Sequence, residues 1–173
     1  SKKTLGIVGF GNVGVRLSNL VKGFDMNILV NSKSLESRKK DYPHVKNVSF
    51  EDLISNSDII SFHCKTSKDS KPLITKEHYK KMKPTAYIIN AARGNIVDEK
   101  DLNEALNENL IAGAALDVYS KEPAKENVLF NNPKAILTPH IAASTTEASI
   151  VVAEMVANQI SDFLLNGVKI NTV

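Results

Sequence analysis

Three polar side chains that lie far apart in the sequence have the chemistry of a proton-transfer site. Arg93 follows an apolar run, and its planar guanidinium suits a substrate carboxylate, although a surface arginine paired with a nearby acid is an equal alternative. Glu122 and His140 form a possible pair in which a carboxylate orients an imidazole and favours its charged form. Because a histidine after a proline in a loop is often merely exposed, both interpretations stay open.

A cluster of glycines near the start of the chain, residues 9–14 (GFGNVG), is a second candidate. In a G-x-G-x-x-G spacing, Gly9 permits a tight turn, Gly11 lets a pyrophosphate approach the backbone, and Gly14 lets a helix pack closely on a strand. The free N–H groups of the following helix would face the phosphates. Any tight α/β turn can show this triplet, but here an apolar strand directly precedes it and a helical pattern follows. The context favours dinucleotide binding.

Short apolar runs alternate with helical patterns along the chain, which predicts a parallel sheet with helices on both faces. Strands are predicted at residues 5–8, 26–30, 45–48, 58–63, 86–90, 111–117 and 135–137. Helices are predicted at residues 15–24, 50–55, 75–83 and 98–108, the last with Asp98 as its N-cap. No repeat or linker marks a boundary within the chain.

The last predicted helix is the longest, and residues 144–147 (STTE) have the form of a capping box with Ser144 as the N-cap. Gly167 supplies a C-terminal stop. Six apolar side chains recur at helical spacing and are predicted to face the core: Val152, Met155, Val156, Ile160, Phe163 and Leu164.

Open parallel sheets bind ligands beyond the carboxyl ends of their strands. Polar clusters fall at four such ends, residues 31–34, 63–65, 90–94 and 117–122, and His140 follows the seventh run. The other histidines carry less weight. His63 is expected to end a buried strand, and His44 and His78 are expected on the surface.

Composition excludes several other classes of protein. The 173 residues are enough for one domain with a real core, and a net charge of +3 from 22 basic and 19 acidic residues gives only a mild attraction for anions. The short lysine pairs do not indicate a nucleic-acid partner. One cysteine, Cys64, excludes an internal disulfide, and common zinc spacings are missing, so no metal is expected. No long apolar run or leader is evident, so we expect a cytoplasmic protein without a membrane partner.

Four motifs together resemble the NAD-binding domain of the D-isomer-specific 2-hydroxyacid dehydrogenases. They are residues 9–14 (GFGNVG), 89–99 (INAARGNIVDE), 115–123 (ALDVYSKEP) and 138–145 (TPHIAAST), and in this order they cover nearly the whole chain. The resemblance implies an α/β fold with a Rossmann-like doubly wound parallel sheet. Residues 140–148 and 164–167 are most similar to the D-3-phosphoglycerate dehydrogenases, which feed serine synthesis.

The resemblance also implies roles for individual residues. Arg93 matches the arginine that binds substrate, Glu122 the partner of the histidine, and His140 the acid/base of a hydride transfer between a nicotinamide and C2 of a 2-hydroxy acid. Asp117 matches the position that binds the nicotinamide carboxamide. The expected cofactor-binding residues are Gly9, Gly11, Asn12, Val13, Gly14, Ser32, Lys33, Cys64, Lys65, Ser70, Ala91, Ala92, Arg93, Asp117, His140, Ala142 and Ala143.

Two positions depart from the family pattern. The fingerprint expects an acidic residue at the end of the second strand to bind the ribose hydroxyls, but Ser32 stands there and is followed by Lys33. Without a carboxylate to repel a 2′-phosphate, NADP is expected to be accepted alongside or in preference to NAD, with Ser34 and Arg38 as further candidate contacts. Lys65 replaces a proline that is usual in the family, beside the adenine edge.

Family members have roughly 100 residues before their first strand, within the usual size of one domain. Residues 1–173 are therefore expected to form the dinucleotide-binding domain, with the substrate domain largely missing, and to turn over substrate poorly alone. Family members are usually homodimers, and the substrate is expected to be a small 2-hydroxy or 2-oxo acid. Two alternatives to phosphoglycerate dehydrogenase are a glyoxylate or hydroxypyruvate reductase and a dinucleotide-sensing module of the corepressor type.

Overall fold

A computed structural model describes residues 3–66 and 71–170 of the chain. The chain divides into two compact units, Ser1–Pro139 and His140–Val173, and each is considered by itself.

The first unit is built on one parallel sheet. Its strands are β1 (Thr4–Val8), β2 (Asn27–Asn31), β3 (Lys46–Asn47), β4 (Ile59–Phe62), β5 (Tyr87–Asn90), β6 (Gly113–Leu116) and β7 (Ala135–Leu137). The order across the sheet is β3-β2-β1-β4-β5-β6-β7, and every neighbouring pair is parallel. The predicted strands are confirmed in number and order, and most are shorter by one or two residues at their ends.

Helices connect the strands of this unit. They are α1 (Asn12–Leu20), α2 (Phe50–Asn56), α3 (Lys76–Tyr79) and α4 (Glu99–Asn107), and a further helix, α5 (Thr146–Asn166), lies in the second unit. The chain builds outward from β1 to β3 and then from β4 to β7 in the opposite direction. Because crossovers between parallel strands are right-handed, this reversal places helices on opposite faces of the sheet. The predicted doubly wound, Rossmann-like fold is confirmed.

Two apolar clusters form the core of the first unit. One lies around β4 to β6 and includes Phe62, Tyr79 and Leu102, none of which is exposed. The other lies around β1 and β2 and includes Phe10 and Leu35. The glycine turn therefore lies against the second cluster, and its position is set by buried packing.

Several local predictions were wrong in extent. The segment Lys33–Asp41 forms a 3-10 helix, although its charged sequence carries no helical periodicity and only Leu35 is buried. The first helix begins at Asn12 rather than residue 15 and changes to a 3-10 turn at Val21–Phe24. The helix expected at residues 75–83 is limited to Lys76–Tyr79.

Two predictions about α5 were also wrong. Its N-cap is Thr145, whose hydroxyl accepts from the Ala148 N–H, rather than Ser144. The six apolar side chains predicted to be core are all exposed, and α5 has no buried residue. Helical periodicity shows that a face needs apolar cover but not what provides it. Contrary to the sequence-based expectation, α5 is also long and apolar enough for a membrane span, which is a weak indication because soluble core helices meet the same criteria.

Candidate active site

The glycine turn between β1 and α1 has the geometry of a phosphate cradle. Gly9 has a φ of +93°, and a Cβ built there would lie 2.6 Å from the His63 carbonyl oxygen. A Cβ on Gly14 would lie 2.4 Å from the Gly9 carbonyl oxygen. A Cβ on Gly11 meets nothing within 4 Å, so this residue borders open space at the start of α1. The helix start has no side-chain cap, and its N–H groups suit a pyrophosphate.

A cavity of about 830 Å³ lies beside this turn, at the carboxyl ends of β1, β2 and β4. It is lined by five residues that the sequence assigned to the cofactor: Gly9, Ser32, Lys33, Cys64 and Lys65. Phe50 and Leu73 add apolar surface of the kind that an adenine ring packs against. Gly11, Asn12 and Val13 are exposed on the adjoining first turn of α1, so the fit to a dinucleotide extends from the cavity to the helix.

Buried side chains also shape the backbone after β5. Asn90 has no exposed surface, and its amide Nδ2 donates to the Arg93 carbonyl at 2.9 Å while its Oδ1 accepts from the Ala92 N–H at 3.1 Å. This closes the turn of residues 90–93 and leaves Arg93 and Ala91 exposed. The Arg93 Nη1 donates to the Ala92 carbonyl at 2.6 Å. The guanidinium is thus presented at the carboxyl edge of the sheet.

The loop after β6 packs directly against the Arg93 turn. A Cβ on Gly94 would overlap the Tyr119 carbonyl, at 1.8 Å from its oxygen, so only glycine permits this approach. The Tyr119 N–H donates to Glu122 Oε1 at 3.0 Å, which holds the Glu122 carboxylate on the same loop. Arg93 and Glu122, two of the three residues predicted to act together, therefore lie on loops in mutual contact.

Glu99, a residue that the sequence analysis passed over, anchors the Glu122 loop. Its carboxylate accepts from the Ser120 N–H at 2.7 Å, from the Ser120 hydroxyl at 3.0 Å and from Asn127 Nδ2 at 2.9 Å. In sequence, Glu99 has the ordinary character of an acid in the first turn of a helix, here α4. Its position directly after a motif residue was the one available signal.

Asp117 links the ends of β6 and β7. The side chain is 6% exposed, and its Oδ1 accepts from the Thr138 hydroxyl at 2.5 Å. The Tyr119 hydroxyl donates to the Thr138 carbonyl at 2.9 Å. Burial, followed by the charges of nearby carboxylates, raises the pKa of the Tyr119 phenol, so this hydroxyl remains a donor. These contacts fix the backbone two residues before His140.

His140 begins the second unit, together with the predicted cofactor residues Ala142 and Ala143. It is exposed and has a φ of 56°, in the left-handed region. Its association with Arg93 and Glu122 remains a prediction. Ser70 lies outside the described residues.

Two further groups near the cavity titrate differently from free side chains. Burial lowers the pKa of His63, whose Nε2 lies 2.9 Å from the Ser61 hydroxyl, so the ring stays neutral at pH 7. Burial also raises the pKa of the Cys64 thiol. A neutral imidazole and a protonated thiol suit an uncharged adenine better than a phosphate. His44, expected on the surface, is half-buried, and its Nε2 lies 3.2 Å from the Ser18 hydroxyl.

Comparison with known proteins agrees with this geometry. Residues 1–142 match the family described as D-isomer specific 2-hydroxyacid dehydrogenase, NAD binding domain. The chain belongs to this family. The resemblance of its four motifs is therefore confirmed, and the matched region contains the glycine turn, Arg93, Glu122 and His140.

The relatives carry more than one name. The chain is 40% identical over 171 residues to a glyoxylate reductase of Thermococcus litoralis, covering 99% of this chain and 52% of that protein. It is 40% identical over 161 residues to a D-3-phosphoglycerate dehydrogenase of Bacillus subtilis, covering 93% and 31% respectively. The crystal structure of a glyoxylate reductase from Paecilomyes thermophila matches with a TM-score of 0.87 and 34% identity, over 97% of this chain and 51% of that one. The chain thus spans about half the length, or less, of these relatives.

Proposed function

We propose that this family domain works within a longer oxidoreductase that transfers a hydride between a nicotinamide dinucleotide and a D-2-hydroxy acid. The observation that carries the proposal is the contact between two loops at the carboxyl edge of the sheet, one bearing Arg93 and the other Glu122, beside a dinucleotide cradle. An arginine and a carboxylate in this position suit substrate binding and proton transfer. Neither is needed for dinucleotide binding alone.

In the oxidation direction, Arg93 would bind the substrate carboxylate and polarise the C2 oxygen. His140 would take the proton of the C2 hydroxyl, and Glu122 would orient the imidazole and stabilise its charged form. The nicotinamide, when bound, supplies the acceptor for the hydride that leaves C2. A 2-hydroxy acid becomes a 2-oxo acid, with one proton on His140. Asp117 and the backbone of Ala91 and Ala92 would hold the nicotinamide end.

For the substrate, we propose D-3-phosphoglycerate, on the resemblance of residues 140–148 and 164–167, which would place the enzyme in serine synthesis. A glyoxylate or hydroxypyruvate reductase is the second candidate. It is favoured by the glyoxylate reductases among the relatives and by Ser32 and Lys33 in the cavity, which suit a phosphorylated cofactor.

The cofactor is expected to include NADP. A serine at the end of β2 removes the carboxylate that would repel a 2′-phosphate, and a lysine follows it. NAD binding at least ten times tighter than NADP binding would contradict this expectation.

The decisive experiment follows nicotinamide absorbance with a panel of 2-oxo acids, using the full-length protein. We expect reduction of hydroxypyruvate, 3-phosphohydroxypyruvate or glyoxylate, and the preferred acid identifies the substrate. The His140→Gln variant should lose turnover and keep its affinity for the dinucleotide. An equal loss of both would show that His140 is structural. Dinucleotide binding without turnover of any 2-oxo acid would favour the corepressor-type sensor instead.

A further inference from the structure

We propose that Arg38, with the hydroxyls of Ser34 and Ser32, forms the subsite for the 2′-phosphate of NADP, and that Arg38 determines the preference for this cofactor. The inference rests on the proposed function, because it assumes that a dinucleotide occupies the cradle. It deepens that function by assigning one side chain the choice between two cofactors.

The Arg38 guanidinium is already held over the glycine turn. Its Nη2 donates to the Phe10 carbonyl at 2.9 Å, and its Nε donates to the Ser34 carbonyl at 3.1 Å. The guanidinium carbon lies 5.8 Å from the centre of the Tyr42 ring. Because these contacts fix a half-buried side chain in advance, little conformational entropy remains to be lost when a phosphate binds.

Part of the guanidinium remains available to an anion. The Nη1 group makes no hydrogen bond to any residue in the ranges 3–66 and 71–170. The Phe10 carbonyl that holds Nη2 belongs to the glycine turn itself, so Arg38 lies beside the cradle. An arginine near the end of the second strand is the group that a ribose 2′-phosphate requires in this type of fold.

Two hydroxyls extend this donor set. The Ser34 hydroxyl accepts from Arg38 Nη2 at 3.3 Å and lies 3.0 Å from the Ser32 hydroxyl. Ser32 is the residue at the position where an NAD-binding protein carries its ribose-binding carboxylate. The hydroxyls and the guanidinium therefore form one connected set at the ribose end of the cavity, and Lys33 and Lys65 add positive charge to the cavity wall.

The nearest carboxylate in this segment is engaged elsewhere. Glu36 Oε1 accepts from Asn47 Nδ2 at 2.5 Å. The Asn47 amide is itself fixed by the Ser32 backbone, because Oδ1 accepts from the Ser32 N–H and Nδ2 donates to the Ser32 carbonyl, both at 3.3 Å. Asn47 on β3 thus holds Glu36 in a contact separate from the Arg38 group. The charge that an NAD-selective site would use is kept out of the subsite.

The test measures dissociation constants of NADP, NAD, 2′,5′-ADP and ADP for the full-length protein by calorimetry. We expect Arg38→Met to weaken NADP and 2′,5′-ADP by about tenfold or more and to change NAD and ADP by less than about twofold. The matched control is Lys40→Met, which removes one positive charge from an exposed position of the same segment and should change all four by less than about twofold.

The outcomes separate this inference from the proposed function. Tight NAD binding with NADP at least ten times weaker, or an equal loss of all four ligands in Arg38→Met, would overturn the Arg38 subsite and leave the proposed function standing. Failure of the wild-type protein to bind either dinucleotide would overturn the proposed function and the subsite with it. Ser32→Asp is an independent variant, and a preference for NADP unchanged by it would also contradict the subsite.

Discussion

The chain after β5 and the chain after β2 leave the same edge of the sheet but are held there differently. After β5, fully buried Asn90 bonds to both sides of the Arg93 turn, and Gly94 lies against a carbonyl of the next loop. After β2, the segment Lys33–Asp41 buries only Leu35, and exposed or half-buried side chains make its contacts. The groups proposed for chemistry are therefore tied to the core. The groups proposed for cofactor choice are not, so they can change with little effect on folding.

The largest effect is expected at Gly94. Gly94→Ala places a Cβ at 1.8 Å from the Tyr119 oxygen, and backbone must move to relieve this overlap. We expect a loss of at least about 3 kcal/mol in the free energy of unfolding, measured with urea. Gly23→Ala is the control, because its Cβ meets nothing within 4 Å, and it should change stability by less than about 1 kcal/mol. Similar stability of the two variants would contradict the proposed rigidity of this loop.

Asn90 should have the next largest effect. Asn90→Ala leaves the Ala92 N–H and the Arg93 carbonyl without their partner in a buried setting. We expect a loss of about 2 kcal/mol of stability, together with a raised KM for the 2-oxo acid, because the Arg93 turn is no longer closed. Urea unfolding and steady-state kinetics measure the two effects. Asn19→Ala, on the exposed surface of α1, serves as the control.

Glu99 tests whether the Glu122 loop needs its anchor. Glu99→Gln keeps the size of the side chain but weakens the hydrogen bonds from Ser120 and gives Asn127 a poorer acceptor. We expect a loss of about 1 kcal/mol and a fall in kcat, with the affinity for the dinucleotide unchanged. Glu104→Gln, on an exposed part of α4, is the matched control. A fall in dinucleotide affinity instead would place the Glu99 effect in the cradle.

Ser32 tests the other side of the comparison. Ser32→Asp should change stability by less than about 0.5 kcal/mol, because the side chain lies in a segment that depends little on the core. We expect it to weaken NADP by about tenfold or more through charge repulsion and to favour NAD. Ser37→Asp adds the same charge at an exposed position and is the control. A large loss of stability in Ser32→Asp would contradict the contrast between the two loops.

The smallest expected effect is the pH dependence due to His63. Burial lowers the pKa of this side chain in the folded protein below the ordinary value of 6.5. The unfolded chain therefore takes up the proton first, so stability is complete above about pH 6.5 and falls as the pH drops below it. Thermal unfolding at pH 7.5 and 5.5 should show a smaller shift in Tm for His63→Asn than for the wild type. An equal shift would assign the dependence to other groups.

The sequence predicted the sheet well because its strands are continuous apolar runs that a parallel sheet buries on both faces. The 3-10 segment Lys33–Asp41 was missed because charged residues carry no period, and Leu35 alone anchors it. Arg93 and Glu122 were found by motif, and the contact between their loops depends on Gly94, whose tight packing no local pattern shows. The side chains of α5 were assigned to a core because periodicity identifies an apolar face without identifying its neighbour.

The contact between Gly14 and the Gly9 carbonyl affects how mutagenesis of the fingerprint is interpreted. A methyl group at residue 14 would press on the backbone of the first glycine before it reached any ligand. A Gly14→Ala protein that fails to retain nucleotide would therefore report a deformed loop rather than a lost phosphate contact. Substitution at Gly11, which faces open space, distinguishes obstruction of the ligand from damage to the scaffold.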